Sequence, residues 1–549
     1  MSTLKPQTEL DSKSVELQHL DLNDPGVDAV DAVKGEMAAE HEHIQKEFTL
    51  WQNLKLYRKC VFWAAVMSAS LIMEGYDKAL IGNFWAQPAF SQRYGVYVPS
   101  TNSYTVTAPW QVAIGQAATI GSFFGLIVGG WQVDRFGYRN VMLVNMVCML
   151  PSVILVTFAP NQVALLLGQM LCGIPWGVFA ALAPAYSSEL CPIGLRGYLT
   201  TYVNLCWVIG QFIAAGVVLG TTSMTGEWAY RLPFCLQLLW PVILIPLYWF
   251  CPESPWWLVR KGRLDDAEAV VRRISDVSLA NEAAGAVAAM VRTNKIELEA
   301  NQGHNPRWRD CFKGIDLRRT EISAISWATQ VMSGGSYTIG FCTYFFRQAG
   351  LASTDAFKTG LGVTACAFVG TLLSWLLIHH CARRTIFVGG VGTLAVIHFI
   401  IGGLAIVSAT GNVGAKWAQS TLTLIWVLTY DFTIGPLAYC IVGETSSTRL
   451  RAKTVAISRN VYYMAVIFSN VISPYMLNPT QWNLQGKTNF VWGPIAALCA
   501  VWGYFRLPEM KNRSFYELDV LFENKVGARH FKKTVVESQA DGHATIRRE

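Results

Sequence analysis

Of the chain's 549 residues, 52% are hydrophobic and only 15% charged, against about 25% charged in an average soluble domain. A mean hydropathy of +0.30 and charge-free stretches such as Val141–Phe158, Gln162–Ala183, Leu232–Cys251, Phe387–Ala409 and Val491–Phe505 exclude a single solvated core and indicate many membrane-crossing helices. The net charge of +7 follows from loop topology and does not point to nucleic acid. The 13 cysteines are scattered without a CxxC pair, as buried small hydrophobes are, so no disulfide framework or metal centre is expected. No catalytic triad spacing, phosphate loop or cofactor motif stands outside the apolar segments, so an enzyme is not expected and no cofactor is implied.

Residues 1–59 are polar, with an acidic middle at Asp21, Asp24, Asp28 and Asp31, and read as a disordered cytosolic tail without a secretory signal. Twelve spans follow, at 61–81, 108–130, 141–159, 162–184, 199–221, 232–251, 322–346, 356–380, 385–409, 417–442, 454–476 and 488–507. They divide into an N-terminal bundle over 60–251 and a C-terminal bundle over 322–507. Between them, 252–321 is too long and polar for a tight connection. Its stretches 264–273 and 283–300 have a spacing near 3.6 and read as short amphipathic helices. Residues 508–549 form the second tail. Lys and Arg crowd alternate loops, at Lys55, Arg58, Lys59, Arg135, Arg139, Arg196, Arg383, Arg384, Arg449 and Arg451 and throughout 252–321. The positive-inside rule therefore places both tails and the central segment in the cytoplasm.

The halves repeat. Glu189 and Arg196 follow span 4 with the spacing that Glu444 and Arg451 keep after span 10, and Pro252-Glu253 closes span 6 as Pro508-Glu509 closes span 12. A parallel repeat of six-helix bundles with a substrate site between them is a transporter architecture.

Three motifs carry a family resemblance. Gly129-Gly130-Trp131-Gln132-Val133-Asp134-Arg135-Phe136-Gly137-Tyr138-Arg139 resembles the loop 2–3 signature of the major facilitator superfamily. Pro252-Glu253-Ser254-Pro255-Trp256-Trp257-Leu258 and Pro508-Glu509-Met510-Lys511-Asn512-Arg513-Ser514 resemble the paired sugar-porter signatures. Met73-Glu74-Gly75-Tyr76-Asp77, Pro-Trp-Trp-Leu and Gly435-Pro436-Leu437-Ala438-Tyr439-Cys440 are most similar to fungal maltose and α-glucoside permeases. The resemblance covers about 60–525 and implies an all-α membrane protein, twelve transmembrane helices in two pseudo-symmetric bundles. It also implies a plasma-membrane carrier, working as a monomer, that imports a sugar by proton symport with alternating access. A facilitative hexose or polyol carrier, an exporter of a secondary metabolite and a non-transporting sugar receptor are the competing readings.

Ionisable groups at membrane depth are functional suspects because they are costly there. Asp77 and Glu74 lie one turn apart in span 1, and Asp431 precedes the Gly435-Pro436 kink of span 10. Asp77 matches the coupling acid of proton-linked sugar porters, but Gln169 stands where they carry an arginine. That leaves Glu74 or Lys78 as its expected neighbour. Asp431 could instead be tied to a hydroxyl on a neighbouring span. His398 reads as a packed, hydrogen-bonded histidine.

Sugars are read by amides and aromatic faces, which match hydroxyls and the C–H face. Gln211 and Gln330 match family sugar-binding glutamines, while Val331, Ser336 and Tyr439 depart from the hexose-carrier pattern; Tyr337 and Asn460 are added on position. At the cytoplasmic helix ends, Asp134, Arg135, Arg139, Glu189, Arg196, Glu253, Glu444, Arg451 and Glu509 form an expected charge latch, able to hold one conformation and release in another.

Overall fold

A computed structural model describes residues 55–98, 103–191, 193–224, 226–275, 283–300, 307–348, 353–408, 412–446, 450–478, 481–511, 513, 515–538 and 544–548. The expected disordered tail therefore lies outside the described residues, apart from its last five.

Long apolar runs become long helices because a lipid-exposed backbone must satisfy its polar groups internally. Nine of the described helices are long and apolar enough to cross a membrane: Ala108–Phe136, Tyr138–Thr157, Gln162–Leu190, Tyr202–Thr221, Trp228–Phe250, Thr354–Ile378, Arg383–Ser408, Val413–Thr445 and Lys453–Leu477. Span 1 runs as Arg58–Ser68 and Ser70–Phe84, span 7 as Gly314–Met332, Gly335–Gly340 and Cys342–Gln348, and span 12 as Asn489–Arg506. Together they make the twelve-helix fold in two bundles. Large apolar side chains such as Ile127, Val144, Leu376 and Leu498 are exposed on helix faces, as a lipid-facing surface requires.

Among the broken spans, one breaks where the sequence suggests it and another at a glycine the sequence reading did not single out. Span 10 divides into Val413–Phe432 and Ile434–Thr445 next to Gly435-Pro436, because proline carries no N–H to continue the ladder. Span 7 breaks at Gly334, whose φ of 97° is left-handed and open only to glycine at little cost.

Packing divides the chain into two compact units that cut across the expected domain borders. One comprises Met1–Val61, Glu189–Leu195 and Glu253–His304; the other comprises Phe62–Ser188, Arg196–Pro252 and Asn305–Glu549. The first contains helices Pro255–Arg260, Leu264–Ile274 and Ala283–Ala300, the last two as the periodicity predicts. Leu264–Ile274 buries Ala267, Val271 and Ile274, starts with Asp265 and Asp266 and ends with Arg272 and Arg273, a charge order that suits the helix dipole. Pro255–Arg260 is started by Ser254, whose hydroxyl accepts from the Trp257 N–H at 3.2 Å.

The second unit holds the helical body and a folded C-terminal segment that the sequence reading treats only as a tail. Phe515–Glu523 and the turn Ala528–Lys533 lead into a hairpin of Thr534–Ser538 with Ala544–Arg548, in antiparallel register Thr534↔Arg548. A second hairpin pairs Val96–Val98 with Ser103–Thr105 between spans 1 and 2. These four short strands qualify the all-α expectation. Phe522 and Phe531 are buried beneath the Arg318 guanidinium, and the Arg319 guanidinium, itself buried, lies over Phe522 and 2.5 Å from Asp519.

Candidate functional site: a cavity between the halves

Within the larger unit, a cavity of about 170 Å³ is lined from the first half by Asp77, Lys78, Gln169, Trp207 and Gln211. The second half contributes Gln330, Ser336, Tyr430, Tyr462 and Tyr463. Amides, one acid and several aromatic faces thus meet in one enclosure, a composition suited to a polar solute with flat apolar faces. Span 1 reaches this place because glycines let it touch span 5. A Cβ on Gly75 would collide with the Trp207 carbonyl, and one on Gly210 with the Ile72 carbonyl. Of the loop 2–3 glycines, Gly129 faces Val178 of span 4 and Gly130 faces open space, so one of the two serves helix packing.

Asp77 is buried and accepts on Oδ1 from the amide of Gln237 of span 6 and, at 3.4 Å, from that of Gln169. Gln169, at the position of the expected arginine, thus does meet the acid, but as a neutral donor. Lys78 turns instead to Glu74, with 2.6 Å between Nζ and Oε1, and its ammonium lies 4.8 Å from the centre of the Trp207 ring. Lys78, one of the two neighbours expected for Asp77, thus pairs with the other, Glu74. The Oδ2 of Asp77 is buried without a hydrogen-bond partner among the described residues.

Asp431 is buried beside the Thr371 hydroxyl of span 8 and is not part of the cavity wall. Its neighbour there is a hydroxyl on another span, the contact one of its two expected roles requires, while its Oδ2 is buried without a hydrogen-bond partner among the described residues. Gln330 borders the cavity while donating to the Gly435 carbonyl at 2.6 Å, a side-chain bond from span 7 to the start of the second helix of span 10.

Gln211 and Ser336 also line the cavity, whereas the other three sugar candidates do not. Tyr337 is stacked on Trp492 with 6.3 Å between ring centres, Tyr439 packs edge-on against Trp327, and the side-chain oxygen of Asn460 is buried elsewhere. Span membership alone could not tell which face of each helix points inward. Trp207, Gln237, Tyr462 and Tyr463 are lining or supporting residues that sequence reasoning missed. Trp207 had a signal, since it precedes Gln211 by one turn and shares its face. Arg459 was also overlooked, although a lone arginine inside span 11 is conspicuous by its cost. Its guanidinium lies against Trp327, Tyr462 and Tyr463, at 5.4, 4.7 and 5.2 Å from their ring centres.

The expected latch residues collect partners the sequence reading did not name. In the smaller unit, Glu189 accepts from the Ser254 hydroxyl and from Arg260 at 2.8 Å, and Glu253 accepts from the Ser254 N–H. In the larger unit, Arg383 lies 3.3 Å from Glu444, while Glu509 accepts from the backbone N–H groups of Arg383 and Arg384 at 2.9 and 3.1 Å. Arg139 donates to the Trp249 carbonyl, Arg135 lies by Trp131 and Phe136, and Asp134 is exposed. The side chains of Arg196 and Arg451 lie outside the described residues.

At the end bearing the Lys/Arg-poor loops, the two halves are joined. The Thr343 hydroxyl donates to Asn83 at 2.7 Å, Arg347 donates to the Ala86 carbonyl, and Gly82 meets the Gly340 carbonyl with no room for a Cβ. Asn478 adds a bond to the Val106 carbonyl at 3.4 Å.

The chain resembles known transporters along most of its length. It is 35% identical over 511 residues to a maltose permease of Saccharomyces cerevisiae, covering 92% of this chain and 83% of the relative. It is 34% identical to a general alpha-glucoside permease of the same yeast, with 92% and 82% covered. Among solved structures, the proton:xylose symporter XylE bound to 6-bromo-6-deoxy-D-glucose superposes with a TM-score of 0.69 at 20% identity, covering 86% of this chain and all of that one. With the model of the family described as "Sugar (and other) transporter" matching residues 60–522, the chain belongs to that family.

Proposed function

We propose that this protein imports an α-glucoside such as maltose by proton symport, through alternating access of the shared cavity. The observation that carries the reading is Asp77, a buried acid on the cavity wall held by two neutral amides. An arginine partner would hold the carboxylate charged; amides support it without cancelling its charge. Protonation on the unpartnered Oδ2 removes a charge whose burial at membrane depth costs several kcal/mol. That proton can therefore load and leave as the cavity changes sides. Gln211, Gln330, Ser336 and Trp207 are assigned to substrate contact. The names of the yeast relatives support the choice of α-glucoside, and the Lys/Arg-rich loops support cytoplasmic tails; a monomer in the plasma membrane completes the reading. The charge pairs of Glu189 with Arg260 and of Glu444 with Arg383, and the bonds from the Arg383 and Arg384 N–H groups to Glu509, supply the conformational latch, to which Asp134, Arg135, Arg139, Arg196, Glu253 and Arg451 are also assigned.

The test is uptake of labelled maltose, glucose and polyols by carrier-deficient cells expressing the protein, with and without a protonophore. Maltose accumulated against its gradient, and lost on adding the protonophore, is the expected result. Equilibration indifferent to pH and protonophore would make the protein a facilitator, and sugar binding without flux would make it a receptor.

A further inference from the structure

The wall of the cavity formed by span 7 depends on its break at Gly334. Gln330 and Val331 line the cavity before the break, and Gly335 and Ser336 line it after. At the break the Ser333 carbonyl turns to a side chain on span 9. His398 Nε2 lies 2.9 Å from that oxygen, so close that a Cβ on Gly334 would strike the imidazole. The other ring nitrogen, Nδ1, lies 2.7 Å from Oδ1 of Asn489 at the start of span 12. The orientation of Asn489 is fixed by its own neighbours, since its NH₂ donates to the Gly486 carbonyl at 2.9 Å and faces the Tyr337 hydroxyl at 3.4 Å.

Both nitrogens of His398 therefore face oxygen acceptors. A neutral imidazole offers one donor; only the imidazolium offers two. We propose that His398 is a protonated positioning residue, an imidazolium clip that fixes the span 7 break and the cavity wall on either side of it. The ring is fully buried, with Trp426 of span 10 at 5.0 Å between ring centres. Against the cost of burying a cation there stand two acceptor oxygens, each taking a charge-assisted bond, with the Trp426 ring adjacent. The titratable groups nearest to it are Tyr337 of span 7, reached through Asn489, and Tyr430 of span 10, stacked on Trp426. Span 12 presents Asn489 and Trp492, and no carboxylate is among the contacts described for the ring. Sign follows from the donor count: the clip is complete in the protonated form, and raising the pH through its titration removes one of its two bonds.

The functional consequence rests on the reading of this cavity as the sugar site, but protonation itself does not. A full-length variant with the other eight histidines replaced by Gln, labelled with ¹⁵N-histidine and purified in detergent, isolates the His398 resonances. Imidazolium shifts on both nitrogens at neutral pH are expected. A protonated and an unprotonated nitrogen at every pH down to 5 would overturn the proposal, whatever the protein transports. In counterflow of maltose, which needs no proton gradient, apparent affinity of the wild type should fall roughly tenfold as the pH rises through the titration seen by NMR, the loss of one charge-assisted bond. His398→Gln should be weak and flat over the same range. A His398→Gln profile that parallels the wild type would assign the ring a packing role only. Protonophore-insensitive uptake alongside imidazolium shifts would remove the symport reading and leave the clip standing.

Discussion

The ammonium of Lys78 pairs with Glu74, one helical turn before it, and leaves Asp77 to the amides of Gln169 and Gln237. Two acids that look alike in sequence thereby stand in different surroundings. Glu74 faces a cation, and Asp77 faces two neutral amides, the difference on which the proposed proton coupling rests.

Asp77→Asn should abolish uphill accumulation of sugar while counterflow persists, since binding and rocking need no titrating group. Accumulation at the wild-type level in this variant would move the proton to another group. Uptake and counterflow measured on the same cells separate the two outcomes.

Glu74→Gln should act differently, by leaving Lys78 without its partner in a site only 24% exposed. Membrane abundance and melting temperature should drop. The double variant Glu74→Gln/Lys78→Gln should recover most of the loss, because the residues are coupled through one contact. If the double variant is as unstable as the sum of the two single changes, the pair contributes nothing.

Gln211→Ala should weaken apparent sugar affinity roughly 2- to 13-fold, corresponding to about 0.5–1.5 kcal/mol for a neutral hydrogen bond. Gln330→Ala should weaken affinity and also lower the melting temperature, because it removes the side-chain bond from span 7 to the Gly435 carbonyl beside the span 10 break. Equal melting temperatures for the two variants would argue against that structural bond.

Gly82→Ala places a methyl group against the Gly340 carbonyl and should hold spans 1 and 7 apart. Cys342, buried beside this contact, should then react faster with a membrane-impermeant thiol reagent added outside the cell. Unchanged labelling would mean that this closure does not depend on the glycine contact.

Asp519→Ala should leave the buried Arg319 guanidinium without its carboxylate. The expected cost is roughly 1–3 kcal/mol, limited by the partial exposure of Asp519, and is read as a lower melting temperature. Replacing Arg319 as well should restore part of it. A stable Asp519→Ala variant would show that the C-terminal segment is held by its other contacts, among them Phe522 and Phe531 under Arg318 and the Arg318 bond to the Val526 carbonyl.

Twelve spans were legible in the residue order because a bilayer demands long uncharged helices, and the matched motifs of two similar halves pointed to a repeat. The helices expected over 264–273 and 283–300 and the break near Gly435-Pro436 were legible too, since helical periodicity and a missing N–H are local properties. Gln211, Gln330 and Asp77 were legible as polar groups at membrane depth. Tertiary structure decided which helix faces meet, and so placed Trp207 and Ser336 at the cavity and turned Tyr337, Tyr439 and Asn460 away from it. It also chose Glu74 over Asp77 as the partner of Lys78, brought Gln237 to Asp77 and set His398 against the Ser333 carbonyl. Each of those contacts joins different helices, or depends on a side chain's direction around one helix, and residue order does not specify either.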